Sequence, residues 1–205
     1  MSIETEIKVR IDDLNGFLRR LETLRPRVLT ERHFEDNFIF DDPRRSLRSR
    51  QSLIRVRLTR NGAWLTFKGP PQPVGLFKKR EELESAVGDG RAVLAILRRI
   101  GLRVWFRYQK YRSEFNIVPG PSPQDEVHVA LDETPIGVFV EFEGSEAGIK
   151  RAARRMAIER SRFLRDSYAS LYIQYCTERQ LPVRHMTFRS VHSVKAGRTR
   201  RKGQP

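Results

Sequence analysis

The chain has 205 residues, of which 39% are hydrophobic and 32% are charged, a balance that excludes a disordered protein and predicts a globular one. Its apolar runs fall short of the ~18 residues that span a membrane, and its single cysteine, Cys176, excludes an intramolecular disulfide and favours a cytoplasmic location. The formal net charge of +15 indicates an anionic partner.

The first predicted element is a strand, because the stretch IETEIKV at residues 3–9 alternates strictly between two kinds of side chain. Side chains of a strand point alternately to its two faces. One parity holds Ile3, Thr5, Ile7 and Val9, and the other holds Glu4, Glu6, Lys8 and Arg10. One face of this strand is therefore mainly apolar, and the other is charged.

Seven further segments along the chain show strand patterning, several of them with a strict period of two. These segments are residues 33–40, 52–58, 63–69, 77–87, 107–115, 126–134 and 138–144. The last is typical, because Val138, Val140 and Phe142 alternate with Glu141 and Glu143. The chain is therefore predicted to form about eight strands, most of them with one apolar and one charged face.

Amphipathic helices are predicted between and after these strands. Apolar residues recur at helical spacing in residues 12–24, 88–101, 146–157 and 166–176. Asp12 or Asp13 is the expected N-cap of the first helix, and Gly101 is the expected stop of the second. The apolar stripes of the helices are expected to pack on the apolar parity of the strands.

The end of the chain is strongly basic. From Arg184 onward it contains seven of the Lys and Arg residues and no acid, which leaves +8 of the +15 for residues 1–183. We predict that residues 1–183 form one domain and that residues 184–205 form a disordered tail. Such a tail is either simply solvated or attracts polyanions weakly.

With the helices on the apolar face, the charged parity either faces water on an open sheet or lines the interior of a closed one. Closure is favoured because cations and carboxylates recur as separate strand-borne sets. The cations are Arg55, Arg57, Lys68, Arg80, Lys110 and Arg112, and the carboxylates are Glu4, Glu6, Glu82, Glu84, Asp132, Glu141 and Glu143. The predicted fold is α+β: a closed eight-stranded antiparallel β-barrel, or tunnel, with a charged lumen and amphipathic helices outside.

The two sets of charges point to one kind of ligand. Paired carboxylates bind Mg²⁺ or Mn²⁺, and clusters of Arg and Lys bind phosphates. One cysteine and four scattered histidines show no zinc-ligand spacing. A concave surface that carries both sets predicts a site for a divalent metal and a polyphosphate.

The order of these motifs supports a family resemblance. The chain presents, in order, Glu4-x-Glu6-x-Lys8, Arg55-x-Arg57, Lys68-Gly69, Arg80-x-Glu82-x-Glu84, Lys110-x-Arg112, Asp132, Glu141-x-Glu143 and a late Ser-Tyr helix in residues 166–171. Over roughly residues 3–175 this pattern resembles the CYTH superfamily of triphosphate tunnel metalloenzymes, which includes thiamine triphosphatase, inorganic triphosphatases and class IV adenylyl cyclases.

The resemblance implies a role for each motif. It implies that Glu4, Glu6, Asp132, Glu141 and Glu143 hold Mg²⁺ or Mn²⁺, and that Glu82 and Glu84 either join them or pair with cations of the lumen. It implies that Arg55, Arg57, Lys68, Arg80, Lys110 and Arg112 grip the triphosphate. Lys8 lies nearby, so Lys8, Glu4 and Glu6 are the expected catalytic residues.

Three functions fit these residues. Metal-dependent hydrolysis of an inorganic or organic triphosphate is favoured, because it requires only the tunnel and no signature of an adenine pocket is visible. A class IV adenylyl cyclase, which converts ATP to cyclic AMP and pyrophosphate, is the alternative. A non-catalytic polyanion-binding module is the third, although it predicts cations without paired carboxylates. The residues leave open whether the protein is a monomer or a homodimer.

Overall fold

A computed structural model describes residues 2–72, 75–122 and 125–191, and within these residues eight strands form one closed antiparallel sheet. The strands are β1 (Ser2–Ile11), β2 (Arg27–Asp41), β3 (Leu53–Leu58), β4 (Ala63–Lys68), β5 (Lys78–Val87), β6 (Arg103–Ile117), β7 (Val127–Thr134) and β8 (Gly137–Gly144). Their order around the ring is β1-β5-β4-β3-β2-β6-β7-β8, and β8 pairs with β1 to close it. The predicted closed eight-stranded fold is confirmed.

The helices lie outside this ring. In the described residues they include α1 (Leu14–Glu22), α2 (Ser46–Ser49), α3 (Gly90–Arg99), α4 (Glu146–Arg155) and α5 (Tyr168–Glu178). Asp13 is the N-cap of α1, because its carboxylate accepts a hydrogen bond from the Gly16 amide at 2.9 Å. The single turn α2 was not predicted, and it forms because the buried Asp41 carboxylate accepts the Leu47 amide at 3.0 Å. None of these helices combines the length and apolarity needed to cross a bilayer.

Strand pairing places the charged residues of neighbouring strands on the same face of the sheet. Residues directly opposite each other on antiparallel strands point to the same face of the sheet. Glu4 lies opposite Arg80 on β5, and Lys8 lies opposite Glu141 on β8. The register of each pair therefore places charge against charge around the inside of the ring.

The apolar parity packs against the helices on the outer face. The largest cluster joins Ile7 and Val9 of β1 to Phe17 of α1 and Ile149 of α4, and all four side chains are buried. Smaller clusters lie under α5 and α3. Full burial of such a side chain contributes about 1.5–3 kcal/mol, so the outside of the ring, rather than its lumen, supplies the hydrophobic stability.

The chain after α5 packs on β6, which corrects the predicted domain boundary at residue 183. Met186 is fully buried, its amide donates to the Arg107 carbonyl at 3.0 Å, and its carbonyl accepts from the Gln109 amide at 2.9 Å. The Phe188 ring lies 5.3 Å from the Tyr111 ring. Residues 184–191 therefore belong to the folded domain. The remainder of the predicted tail, residues 192–205, lies outside the described residues, and its attraction to polyanions stays a prediction.

Met186→Ala is expected to lower the free energy of unfolding by about 2–5 kcal/mol, because it leaves a cavity beneath α5 where a fully buried side chain stood. The control is Val183→Ala, since Val183 is 53% exposed and its truncation is expected to change stability by less than about 0.5 kcal/mol. Denaturant unfolding measures both values. An equally small effect of the two substitutions would show that residues 184–191 do not stabilise the domain.

Candidate active site

The lumen of the ring is a cavity of about 480 Å³ lined by all eight strands and by the first residues of α5. Of the predicted site residues, the cavity is lined by Glu4, Glu6, Lys8, Arg55, Arg57, Lys68, Arg80, Glu82, Glu84, Lys110, Arg112, Glu141 and Glu143. Asp132 does not line it. Alternate residues from strands that are distant in the sequence thus line a single concave surface.

Lys68 bridges carboxylates of β1 and β5, and Lys78 pairs with a second carboxylate of β1. The Lys68 ammonium lies 2.7 Å from Glu4 and 2.7 Å from Glu82, and the Lys78 ammonium lies 2.7 Å from Glu6. All five side chains are buried or half-buried in the lumen, where ion pairs are screened less than at the surface. Each carboxylate here has a cation within reach.

The arginines of β3 form ion pairs with carboxylates of β5. Arg55 lies 3.1 Å from Glu84 and 3.7 Å from Glu82, and Arg57 lies 2.7 Å from Glu84. Thr66 donates a hydrogen bond to Glu84 at 2.7 Å. In this structure Glu82 and Glu84 therefore pair with cations of the lumen, which is one of the two roles left open for them.

Arg80 is a lumen cation with incomplete hydrogen bonding, as is Arg57, whose Nε also lacks a partner in the described residues. The Arg80 side chain is buried and lines the cavity, yet in the described part of the chain its Nε and Nη2 have no hydrogen-bond partner. A buried donor without a partner costs about 1–3 kcal/mol, and more when it is charged. An anion in the cavity would satisfy these two nitrogens.

Lys8 is held as a fixed positive charge. Its ammonium lies 3.1 Å from Glu141, donates to the Asp166 carbonyl at 2.9 Å and lies 4.3 Å from the centre of the Tyr168 ring. Burial disfavours the charged form of Lys8, but Glu141 and Glu6 outweigh burial and raise the pKa of Lys8. Lys8 therefore stays protonated at neutral pH and is unsuited to act as a base.

The acidic residues of the lumen fall into two groups, one with lowered and one with raised pKa values. Burial alone would raise the pKa of Glu6, but Lys78 and Lys8 outweigh it and lower this pKa to about 2. The pKa of Glu141 is likewise held well below its usual range, since Lys8 and Arg112 outweigh burial. In contrast, burial raises the pKa of Glu4 to about 8 despite Lys68, and it also raises the pKa of Glu143.

These carboxylates provide the hard oxygen ligands that Mg²⁺ and Mn²⁺ prefer. Repulsion from Glu6 and Glu82 adds to the raised pKa of both Glu4 and Glu143, because several carboxylates lie close together in this part of the lumen. Across residues 2–72, 75–122 and 125–191, however, no three acidic, histidine or cysteine side chains converge as a ready metal site. The donor chemistry fits a divalent cation, and the lysine pairing of Glu4 and Glu6 would have to change to receive it.

Glu4 is expected to make the metal-free protein sensitive to alkaline pH. Because its pKa is raised from 4.5 to about 8, the folded state favours the protonated form, so this contribution to stability is complete below pH 4.5 and is lost as the pH rises through about 8. The melting temperature in EDTA is therefore expected to fall by several degrees between about pH 6 and pH 9.

Glu4→Gln is expected to flatten this fall, since the amide does not ionise. Glu22→Gln, at an exposed position of α1, is the control and is expected to keep the wild-type slope. Parallel slopes for wild type and Glu4→Gln would contradict the protonation of Glu4.

The structure adds lumen residues that the sequence motifs did not include. Lys78 and Glu114 follow the charged parity of their strands in the sequence, although neither was assigned a role in the site. Glu35, which pairs with Arg57 and Lys110 but does not border the cavity, was missed because residues 33–40 alternate weakly. His128 follows the parity of β7, whereas Tyr168 comes from α5 and is not visible in any strand pattern.

The fold and the cavity together define a class of protein. A closed eight-stranded antiparallel tunnel carries cations and carboxylates on its inner face and amphipathic helices on its outer face. This is the architecture of a tunnel protein with a charged lumen.

The chain belongs to the CYTH family: the model of the CYTH domain matches residues 2–178. This match confirms the family predicted from the order of the motifs.

Several proteins are similar to the chain over most of its length. A proposed adenylate cyclase of Methanocaldococcus jannaschii is 24% identical over 180 residues, which cover 82% of this chain and 98% of the relative. The structure of a proposed adenylate cyclase of Vibrio parahaemolyticus superposes with a TM-score of 0.67 at 20% identity and covers 82% of this chain and 95% of its own.

A third relative comes from a plant. The structure of a proposed adenylyl cyclase of Hippeastrum, described as having a dominant triphosphatase activity, gives a TM-score of 0.60 at 17% identity. It covers 88% of this chain and 97% of its own. These structural likenesses establish the tunnel fold.

Proposed function

We propose that the chain is a divalent-metal-dependent triphosphatase that hydrolyses an inorganic or organic triphosphate bound in the tunnel. The observation that carries this proposal is the convergence of two charge sets on one cavity. Six predicted phosphate-binding cations line it, and so do the paired carboxylates of β1 and β8. Two buried nitrogens of Arg80 lack a hydrogen-bond partner in the described residues, and an anion bound in the cavity would supply one.

The cations reach the phosphate chain from several sides. Arg55 and Arg57 project from β3, while Lys110 and Arg112 project from β6. A planar guanidinium donates to two phosphate oxygens at once, whereas an ammonium acts as a point charge. On binding, the triphosphate would replace Glu82 and Glu84 as the partner of the β3 arginines.

The residues that would hold the metal are Glu4, Glu6, Glu141 and Glu143. A bound divalent cation supplies Lewis-acid stabilisation of charge on the phosphate oxygens. When Lys68 turns to the phosphates, Glu4 is free to take part in metal binding.

The reaction is attack of a water molecule on the terminal phosphorus. A bond forms from the water oxygen to phosphorus, the phosphoanhydride bond breaks, and the rest of the triphosphate leaves with the bonding electrons. A carboxylate of the lumen orients the water and accepts its proton, and the fixed cations stabilise the charge of the transferring group. Lys8, which stays protonated, belongs to those cations.

A class IV adenylyl cyclase is the second candidate. The names of the Methanocaldococcus jannaschii and Vibrio parahaemolyticus relatives favour it. Ile39 and Leu53 also give the cavity an apolar wall, and they pair directly with Arg55 and Lys68, so an organic group could lie beside the phosphates. In this reaction the ribose 3′-hydroxyl attacks the α-phosphorus of ATP and pyrophosphate leaves.

The test is to incubate the protein with tripolyphosphate or with ATP, in the presence of Mg²⁺, Mn²⁺ or EDTA, and to separate the products. We expect orthophosphate from tripolyphosphate with a divalent cation and none with EDTA. Cyclic AMP from ATP with tripolyphosphate left intact would favour the cyclase. Tight binding of tripolyphosphate without any product would favour the non-catalytic polyanion-binding module.

A further inference from the structure

Asp132 lies on the inner face of the sheet, opposite Arg112 of β6. Its side chain is completely buried on β7 and does not border the cavity. Its two carboxylate oxygens accept four hydrogen bonds. The donors are Lys110 Nζ at 2.9 Å, Arg112 Nε and Nη2 at 2.7 Å each, and the Tyr168 hydroxyl at 2.6 Å.

These four bonds hold the Asp132 carboxylate among donors and away from the cavity. Three of them end on Oδ2, which is thereby saturated, and one ends on Oδ1, and the side chain is completely buried. Glu143 differs, because it borders the cavity and the ion pair found for it is with His128, at 3.9 Å. The two residues therefore do not fit the same role, although the family resemblance assigns both to the metal.

We infer that Asp132 is a positioning residue of the phosphate clamp and not a metal ligand, an inference that rests on the proposed function for the identity of the clamped ligand. Two parallel bonds fix the plane of the Arg112 guanidinium, and a third holds the Lys110 ammonium beside it. Two phosphate-binding cations are thus fixed before any ligand arrives, which lowers the cost of ordering them on binding.

Tyr168 extends this arrangement to α5. It is the first residue of the helix, and its hydroxyl supplies the fourth bond to Asp132. The Lys8 and Lys110 ammoniums lie 4.3 Å and 5.4 Å from the centre of its ring, within range of cation–π attraction. Tyr168 is therefore a second positioning residue, which links the helix to the cations of the clamp.

The experiment compares four variants in two measurements. Mn²⁺ affinity is measured by calorimetry without phosphate, and kcat and KM for tripolyphosphate are measured at saturating Mn²⁺. The variants are Asp132→Asn, Tyr168→Phe, Glu143→Gln and, as the control, Glu133→Gln. Glu133 follows Asp132 on β7 and binds Arg32 at the surface, so the control removes the same charge outside the clamp.

We expect Asp132→Asn to keep the Mn²⁺ Kd within about twofold of wild type while kcat falls by about 10²-fold, since a displacement of about 1 Å has an effect of that size. KM is expected to stay within a few-fold, because the substitution also removes a negative charge near the phosphates. Tyr168→Phe is expected to lower kcat about tenfold and to leave the Mn²⁺ Kd unchanged. Glu143→Gln is expected to raise the Mn²⁺ Kd by at least about tenfold.

A rise of the Mn²⁺ Kd in Asp132→Asn as large as that in Glu143→Gln would overturn the inference. If Asp132→Asn fails to fold, Tyr168→Phe remains decisive, because wild-type kcat and tripolyphosphate affinity in this variant would exclude a positioning role. If the wild type hydrolyses no triphosphate, the proposed function fails, whereas the Mn²⁺ affinities still decide whether Asp132 is a ligand.

Discussion

Glu141→Gln is expected to lower kcat for triphosphate hydrolysis by at least about 10³-fold and to destabilise the metal-free protein as well. Glu141 lies 3.1 Å from Lys8 and accepts a hydrogen bond from Arg112, so neutralising it leaves two buried cations short of negative charge. Removing one partner of a buried ion pair costs about 3–5 kcal/mol, which corresponds to a fall in melting temperature of roughly 6–20 °C at this size.

The loss of stability has a defined pH dependence. The pKa of Glu141 is held well below its usual value, so its contribution is present above pH 4.5 and is lost as the pH falls through the folded-state pKa. The melting temperatures of wild type and variant are therefore expected to differ most near neutral pH and to converge in acid. Glu4→Gln serves as the comparison, since it should lose activity without this destabilisation. Full turnover by Glu141→Gln, or an unchanged melting temperature at pH 7, would contradict the role given to Glu141.

Arg57→Lys is expected to lower kcat by about 10²-fold and to change KM only a few-fold. Arg57 donates to Glu84 at 2.7 Å, lies 3.6 Å from Glu35 and stacks 4.9 Å from the centre of the Trp64 ring. Lysine keeps the charge but not the planar fork or the stacking, so the phosphate is bound with the reacting phosphorus misaligned.

Steady-state kinetics with tripolyphosphate checks this split between kcat and KM. Arg60→Lys is the control, because Arg60 is exposed in the turn after β3 and is expected to leave both constants unchanged. A triphosphatase should show the same loss with ATP as with tripolyphosphate, since both present the phosphates to Arg57. A large rise in KM with unchanged kcat would mean that Arg57 contributes binding alone.

Period-two alternation was sufficient to predict the ring and most of its lining. Glu4, Glu6 and Lys8 share a parity that no helix would produce, and strand pairing then places Glu141 opposite Lys8. The prediction worked because a tunnel uses every second residue of each strand. It failed for Glu35, because residues 33–40 alternate weakly: Glu35 shares its parity with the apolar Ile39, and the acidic Asp36 lies on the other parity.

The sequence could not show which lumen charges pair with each other. Parity predicts an inward side chain at both Asp132 and Glu143, but only the ring geometry reveals that Lys110, Arg112 and Tyr168 surround the first. Met186 was missed for a similar reason. Its burial depends on β6, which lies far away in the chain, and the basic residues around it resemble a disordered tail.

Hydrolysis in oxygen-18 water tests the central claim most directly. If water attacks the terminal phosphorus, the heavy oxygen enters orthophosphate, and the pyrophosphate released from tripolyphosphate and the ADP released from ATP stay unlabelled. Mass spectrometry of the products in the presence of Mn²⁺ separates these species. We expect labelled orthophosphate from both substrates. Unlabelled pyrophosphate together with cyclic AMP from ATP, and no turnover of tripolyphosphate, would contradict the account and identify a cyclase.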